Sequence, residues 1–454
     1  MAKYSLEPVD VPPVQTDNRI IKTQLPVPES LKIYEKLQKT EPRSMQGQPP
    51  IIWERAEGIH VYDPYGNKWI DWSSGVLITN AGHSHPKIVE AVKKQIDKRL
   101  LSTYVFVHEQ RAELTGLLAD MAPDGLDKVF LLSTGSEATE NCIKLARTYG
   151  VDNYGKNKHV IVSFTNAFHG RTLGAQLAGG MQKQKEWIVK TDCGFIQVPF
   201  PDGFKNEDTG FDLFEKTLEG AGVNPDDVAG VISETYQGVG PDFMPVEYAQ
   251  ALRKWCDKHN VVLIMDEVQA GFGRCGTFFG FETYGIVPDL IACGKGISSS
   301  LPISAVIGKD EIMELYAPGS MTSTHSGSPL PVAAAIANIK AIIEEKLVEN
   351  AAQLGPILEK GLLKIQTQFS KVIGCVHAKG LVAGMQIVKP GTKTPDSETA
   401  QKINEKCFHK GLLMFAPVGI GGECIKIAPP LCINRQALEE GLSVLSEACS
   451  EVLD

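Results

Sequence analysis

Five short apolar runs punctuate the chain between about Gly75 and Ala334: KVFLL, HVIVSF, VAGVISE, VVLIMDE and DLIACG. Each stops abruptly at polar residues or glycine. Runs of this length without alternation read as strands buried on both faces, and the helical or loop stretches between them predict an α/β fold with a large, mostly parallel sheet. Ahead of this region, the proline-rich and charged segments VPPVQ, LPVPES and RSMQGQPP predict an extended arm. GIHVYDPYGNKWIDW then predicts a hairpin turning at Tyr65-Gly66-Asn67. After Ser328-Pro329-Leu330 a long helical stretch leads to VIGCVHAKGLVAGMQIV and ECIKIAPPL, read as strands, and to an amphipathic helix from Arg435. The expected organisation is therefore an arm and hairpin over residues 1–74 that join a smaller domain, a large α/β domain over 75–334, and a C-terminal α+β part over 335–454.

Composition narrows the function classes. A length of 454 residues with 43% hydrophobic content suits a large domain plus a smaller one. A formal charge of −9 without a basic run argues against nucleic acids and anionic membranes as partners and leaves small molecules. The cysteines form no CxxC pair and no His/Cys cluster at ligand spacing, so neither a metal site nor a disulfide framework is expected, and free thiols fit a reducing cytoplasm. The stretch MAKYSLEPVDVPPVQ has no apolar signal core, and no segment reaches membrane-spanning length. A cytoplasmic location is the expectation.

Two of the apolar runs deliver chemistry. VVLIMDEVQAGFGR brings Asp266 to a strand end, and PDLIACGKGIS brings Lys295 there between Gly294 and Gly296. The carboxyl ends of parallel strands open into ligand crevices. A buried ion pair would account for an aspartate and a lysine so placed; so would pyridoxal phosphate. With that cofactor, a lysine open to attack on a small carbonyl would carry the aldehyde as a Schiff base, and the aspartate would keep the pyridine nitrogen protonated.

Two further segments bear on the choice. LLSTGSEATENCIKLAR passes from a strand through Ser133, Thr134, Gly135 and Ser136 into a helix, whose first amides suit a phosphate and equally suit a ligand-free helix cap. Phe168-His169-Gly170-Arg171-Thr172 falls on a strand-to-helix turn. Phe168 could lie on a pyridine ring and Arg171 could fork onto a carboxylate, against the plain alternative of a core phenylalanine and a surface arginine.

Taken together and in this order, these segments resemble the class III aminotransferases, the fold-type I enzymes that include 4-aminobutyrate, ornithine and acetylornithine aminotransferases. The resemblance runs from DPYGNKWIDW and NAGHSHP to KIAPPL. It implies that Lys295 is the cofactor-linking lysine and Asp266 the partner of the pyridine nitrogen. It implies that Phe168 and Val268 sandwich the ring, that Gln269 meets the ring hydroxyl, and that Gly135 with Ser136 seats the phosphate. Thr324, in GSMTSTHSGSPL, matches the threonine that reaches the phosphate of a neighbouring subunit, which implies a homodimer with shared active sites, alone or paired into a tetramer. Arg171 matches an arginine that holds the far carboxylate of the substrate; Val76 and Tyr104 are candidate pocket walls, with simple packing as the alternative.

Two departures concern the substrate. Where relatives read Glu-Pro-x-Gln-Gly-Glu-Gly, this chain reads Glu234-Thr235-Tyr236-Gln237-Gly238-Val239-Gly240, and where they carry an arginine before Pro-Leu it has Lys426. In the relatives that arginine binds the α-carboxylate of glutamate or 2-oxoglutarate and swings onto the second glutamate when an ω-amine enters. Lys426 keeps the charge without the planar fork, and Val239 offers no carboxylate. The expected activity is transfer of an amino group from an ω- or β-amine donor (4-aminobutyrate, a β-amino acid or its CoA thioester, taurine) to an α-keto acid, 2-oxoglutarate or pyruvate. A racemase, epimerase or lyase of the same fold is the alternative, and a non-catalytic cofactor-binding protein a third.

Overall fold

The computed structural model describes residues 4–190 and 194–453. The chain divides into two compact units, one of residues 86–349 and one of residues 1–85 together with 350–454.

The larger unit is built on a seven-stranded sheet. Its strands are β1 (Lys128–Leu132), β2 (Val160–Phe164), β3 (Phe195–Val198), β4 (Val228–Glu234), β5 (Val262–Asp266), β6 (Leu290–Cys293) and β7 (Ser304–Gly308), in the spatial order β1-β7-β6-β5-β4-β2-β3. β7 alone runs against its neighbours β6 and β1. All other pairings are parallel. The five apolar runs of the sequence supply β1, β2, β4, β5 and β6; SAVIG of β7, bounded by serine and glycine, and the mixed FIQV of β3 are not among them. Every residue of β2, β4, β5, β6 and β7 is buried, as a sheet covered on both faces requires.

Helix α1 (Gly135–Tyr154) lies on this sheet. Its Ala138, Cys142, Ile143, Leu145 and Ala146 recur at helical spacing and pack with Ile161, Ala229, Ile264 and Ala292. The start of α1 is fixed by a reciprocal cap: Thr134 Oγ1 accepts from the Glu137 amide at 3.2 Å, and the Glu137 carboxylate accepts from the amides of Ser133 and Thr134, both at 2.9 Å. The helix Pro329–Glu344 packs on helices Pro86–Asp97 and Glu109–Met121 of the same unit. Those contacts put the unit boundary after Glu349, beyond the position 334 expected from the sequence.

The other unit holds two sheets. Arg55–Glu57, His60–Tyr62 and Lys68–Asp71 form an antiparallel meander, extended by Ile20–Ile21 and Val14–Gln15, with Leu412–Leu413 parallel to Lys68–Asp71. Ile373–Lys379, Val382–Ile387 and Cys424–Ile427 make a three-stranded antiparallel sheet. Trp69 anchors the first of these, stacked on Phe408 with ring centres 5.6 Å apart and its indole N–H donated to the Phe408 carbonyl. The amino-terminal segment is not extended throughout, because Leu31–Thr40 forms a helix. This proline-free stretch lies between Pro28 and Pro42, where prolines limit rather than forbid a helix.

Candidate active site

Parallel register levels the carboxyl ends of three strands. Asp266 of β5 stands opposite Glu234 of β4 on one side and Ala292 of β6 on the other. Beyond Ala292 the chain continues through Cys293 and Gly294 to Lys295, so the carboxylates and the lysine come from one rim of one sheet. Lys295 is partly buried and holds a left-handed backbone, φ +40°. For a residue with a side chain that conformation costs about 1–3 kcal/mol and persists only where its surroundings enforce it. Burial holds the Lys295 amine below its ordinary pKa, against the opposing pull of Asp266 and Glu234.

Asp266 is held from two sides. His169 Nδ1 lies 2.8 Å from Oδ2, and the Val268 amide donates to Oδ1 at 3.1 Å. Burial opposes the charged imidazole, but the hydrogen bond and charge of Asp266 outweigh it, and the His169 pKa is raised. Glu234 accepts from the Phe168 amide at 2.9 Å and from the Gly238 amide at 2.7 Å. Burial pushes its carboxyl up to about 7. The neighbouring Glu267 turns away from this rim and accepts from the Thr235 hydroxyl and the amides of Gly280 and Phe281.

The amino end of α1 reaches the same rim. A methyl group on Gly135 would lie 2.8 Å from Val268 Cγ1, and one on Gly294 would lie 3.2 Å from that atom. Ser304, at the start of β7, donates to the Thr134 carbonyl at 2.7 Å. The amides of Gly135 and Ser136 belong to the first turn, where a helix offers no internal acceptor. Along one face of α1, Ser136, Thr139 and Glu140 grip the turn that leads into α2 (Leu173–Ala178). Ser136 Oγ accepts from the Arg171 amide at 3.4 Å, Thr139 donates to the His169 carbonyl at 2.7 Å, and Glu140 accepts from the Gly174 and Ala175 amides.

Phe168 is half-buried, and the exposed Arg171 places its guanidinium 5.5 Å from the Phe168 ring centre. The Gln269 amide packs against Gly238, next to the partly buried Val239. Thr324 stands exposed in the segment before Pro329, away from this rim's hydrogen bonds, while its neighbour Thr322 bonds the Tyr104 hydroxyl at 2.9 Å. Val76, exposed and left-handed at φ +65°, and Lys426, buried opposite Gly384, belong to the other unit.

His169, Glu234, Thr139 and Glu140 join this site without having been assigned a part from sequence. Among the described residues no group of three or more His, Cys, Asp or Glu is placed to hold a metal ion.

The family model for class III aminotransferases matches residues 43–449. The 5-aminovalerate aminotransferase of Pseudomonas aeruginosa is 35% identical over 91% of this chain and 97% of its own length. The 4-aminobutyrate aminotransferase of Mycobacterium leprae is 34% identical over 94% and 97%. Among solved structures, a transaminase from a marine Virgibacillus superposes with a TM-score of 0.83 at 27% identity, covering 93% of this chain and 99% of that one.

Proposed function

Because the chain belongs to the class III aminotransferases, which work with pyridoxal phosphate, we propose that it moves an amino group from an ω- or β-amine to an α-keto acid. The donor classes are 4-aminobutyrate, β-amino acids or their CoA thioesters, and taurine; the acceptors are 2-oxoglutarate or pyruvate. The observation that carries the reading is Lys295, strained and desolvated at the rim where Asp266 and Glu234 end their strands.

The residues fit the cofactor. Gly135 and Gly294 put no β-carbon against Val268, the Gly135 and Ser136 amides stand in the first turn of α1, and burial lowers the pKa of the Lys295 amine on the same rim. When bound, pyridoxal phosphate supplies an aldehyde and an electron-accepting ring. Gly135 and Ser136 would seat the phosphate through their amides. Asp266 would face the pyridine nitrogen, with His169 fixing its other oxygen. Phe168 and Val268 would flank the ring, and Gln269 would meet its hydroxyl. Lys295 would hold the aldehyde, and its amine, when free, would be the general base that takes the proton from the amine-bearing carbon and returns it; burial lowers its pKa in the direction that favours the neutral amine.

Arg171, Val76, Val239 and Lys426 are the proposed substrate residues. Arg171 would bind a distal acid, and Lys426 would meet the keto acid as a point charge. The exposed apolar side chains of Leu101, Val105, Phe106 and Val107, on the larger unit, support a homodimer in which Thr324 serves the neighbouring subunit. No helix among the described residues is long and apolar enough to cross a membrane, and a cytoplasmic location is part of the proposal.

The test is an absorbance scan of cofactor-loaded protein as each donor is added without keto acid. Loss of the yellow form with one donor, restored by pyruvate or 2-oxoglutarate, is the expected result. Donor turnover with the yellow form intact would fit racemisation or elimination and overturn transfer.

A further inference from the structure

We propose that Glu234 is a positioning residue whose carboxylate ties the Phe168 turn to the Gly238–Val239 turn and so sets the Phe168 ring for stacking. This rests on the reading in which Phe168 covers one face of the cofactor.

Glu234 is the last residue of β4 and is buried beside Asp266. Each of its oxygens takes one donor, Oε2 from the Phe168 amide and Oε1 from the Gly238 amide. The second contact demands glycine, since a methyl group on Gly238 would stand 2.8 Å from Glu234 Oε1 and 2.2 Å from Gln269 Nε2. One carboxylate thus fixes the backbone of the proposed stacking residue on one side and, on the other, the turn against which Gln269 packs.

The other ties in this region do not replace it. Asp266 and Thr139 hold His169, Ser136 holds the Arg171 amide, and Glu140 holds the start of α2. On the opposite side, the Gln237 amide group donates to the Thr165 carbonyl at 2.7 Å and the Tyr236 hydroxyl to the Gln269 carbonyl at 3.1 Å. Those bonds secure the flanking chain, so loss of Glu234 should loosen Phe168 without unfolding the site.

Both donors are backbone N–H groups, which makes the chemistry of the acceptor decisive. Glu234→Gln keeps size and shape but turns one acceptor into an NH2 group that faces an N–H. One of the two turns is released. Which of the two it is does not alter the outcome, because the staple needs both.

The experiment is a double-mutant cycle on Glu234→Gln and Phe168→Leu, read as the dissociation constant of pyridoxal phosphate from titration of the apoenzyme. We expect each single variant to bind about five- to tenfold more weakly, the scale of one aromatic stacking contact, and the double variant to bind no more weakly than either. Multiplying effects, or E234Q binding like the wild type while F168L is weakened, would overturn the role of Glu234. F168L binding like the wild type would instead overturn the stacking assignment itself. Should E234Q fail to fold, the cycle is run with Glu234→Asp, which keeps both acceptors one methylene shorter; a smaller loss that vanishes in the F168L background supports the staple, and an equal loss in both backgrounds overturns it.

Discussion

Gly135 and Val268 meet so closely that a methyl group on Gly135 would lie 2.8 Å from Val268 Cγ1 and 3.0 Å from Cγ2. The contact joins the proposed phosphate seat to the proposed ring-facing residue. Gly135→Ala must therefore move either the first turn of α1 or the Val268 side chain. Overpacking of this kind costs about 1–3 kcal/mol. We expect the apoprotein to melt a few degrees lower and the dissociation constant of pyridoxal phosphate to rise by about tenfold or more, the disturbance falling on two cofactor contacts at once. Thermal scans and apoenzyme titration check both.

Lys295 tests catalysis and strain separately. Lys295→Ala should abolish turnover and the borohydride-reducible link to the cofactor while the protein still folds. The backbone at this position is left-handed, and the buried chain around it is expected to keep it so in the variant. Lys295→Gly should then be more stable than Lys295→Ala by about 1–2 kcal/mol, the usual penalty for a side chain in that conformation. Equal stabilities by urea denaturation of the two apoproteins would show that the strain is relieved elsewhere.

The way Asp266 and Lys295 could be found in the sequence explains why others were missed. Each follows an apolar run that stops abruptly, and a buried parallel strand advertises its end in that manner. His169 carries no such mark, and Glu234, although it closes the run VAGVISE, has no partner nearby in the chain that would give it a part. His169 bonds Asp266 from 97 residues away, and Glu234 acts on the Phe168 amide across 66 residues, so their partners are set by strand order rather than by local pattern. Strand β7 escaped for a related reason. SAVIG is bounded by serine and glycine, and its antiparallel place between β6 and β1 depends on pairing that periodicity does not encode. The helix Leu31–Thr40 was hidden by the prolines around it.

Glu267 should leave a signature in the pH dependence of stability. Its carboxyl is fully buried and burial pushes its pKa up to about 7, from an ordinary value of 4.5. The folded state thus holds this proton more tightly than the unfolded chain, and stability contributed by the protonated acid is lost as pH rises from about 4.5 through about 7. Glu267→Gln cannot ionise. It should be less stable overall, because one amide group replaces an acceptor for the Thr235 hydroxyl or the Gly280 and Phe281 amides, yet its stability should fall less steeply over that interval. Denaturant midpoints of both apoproteins across pH 5 to about 7.5 measure the difference in slope; parallel curves would mean that Glu267 is ionised throughout.

Arg171 offers the sharpest test of donor chemistry. Its amide is bonded to Ser136 Oγ and its guanidinium stands exposed 5.5 Å from the Phe168 ring centre, so the charged fork is presented from a turn tied to α1. A donor with a distal carboxylate or sulfonate would be met by two parallel hydrogen bonds, each stronger than a neutral one. Removing them in Arg171→Ala should raise the donor KM about tenfold to a hundredfold, with a smaller change in kcat, because the distal group lies outside the reacting bonds. Arg171→Lys should recover only part of the loss, since an ammonium supplies charge without the fork. Donors with no distal acid should be nearly indifferent to both substitutions. If acidic and neutral donors lose equally, Arg171 acts through the Phe168 turn rather than on the substrate, and the preference for an acidic end has to be sought at another residue.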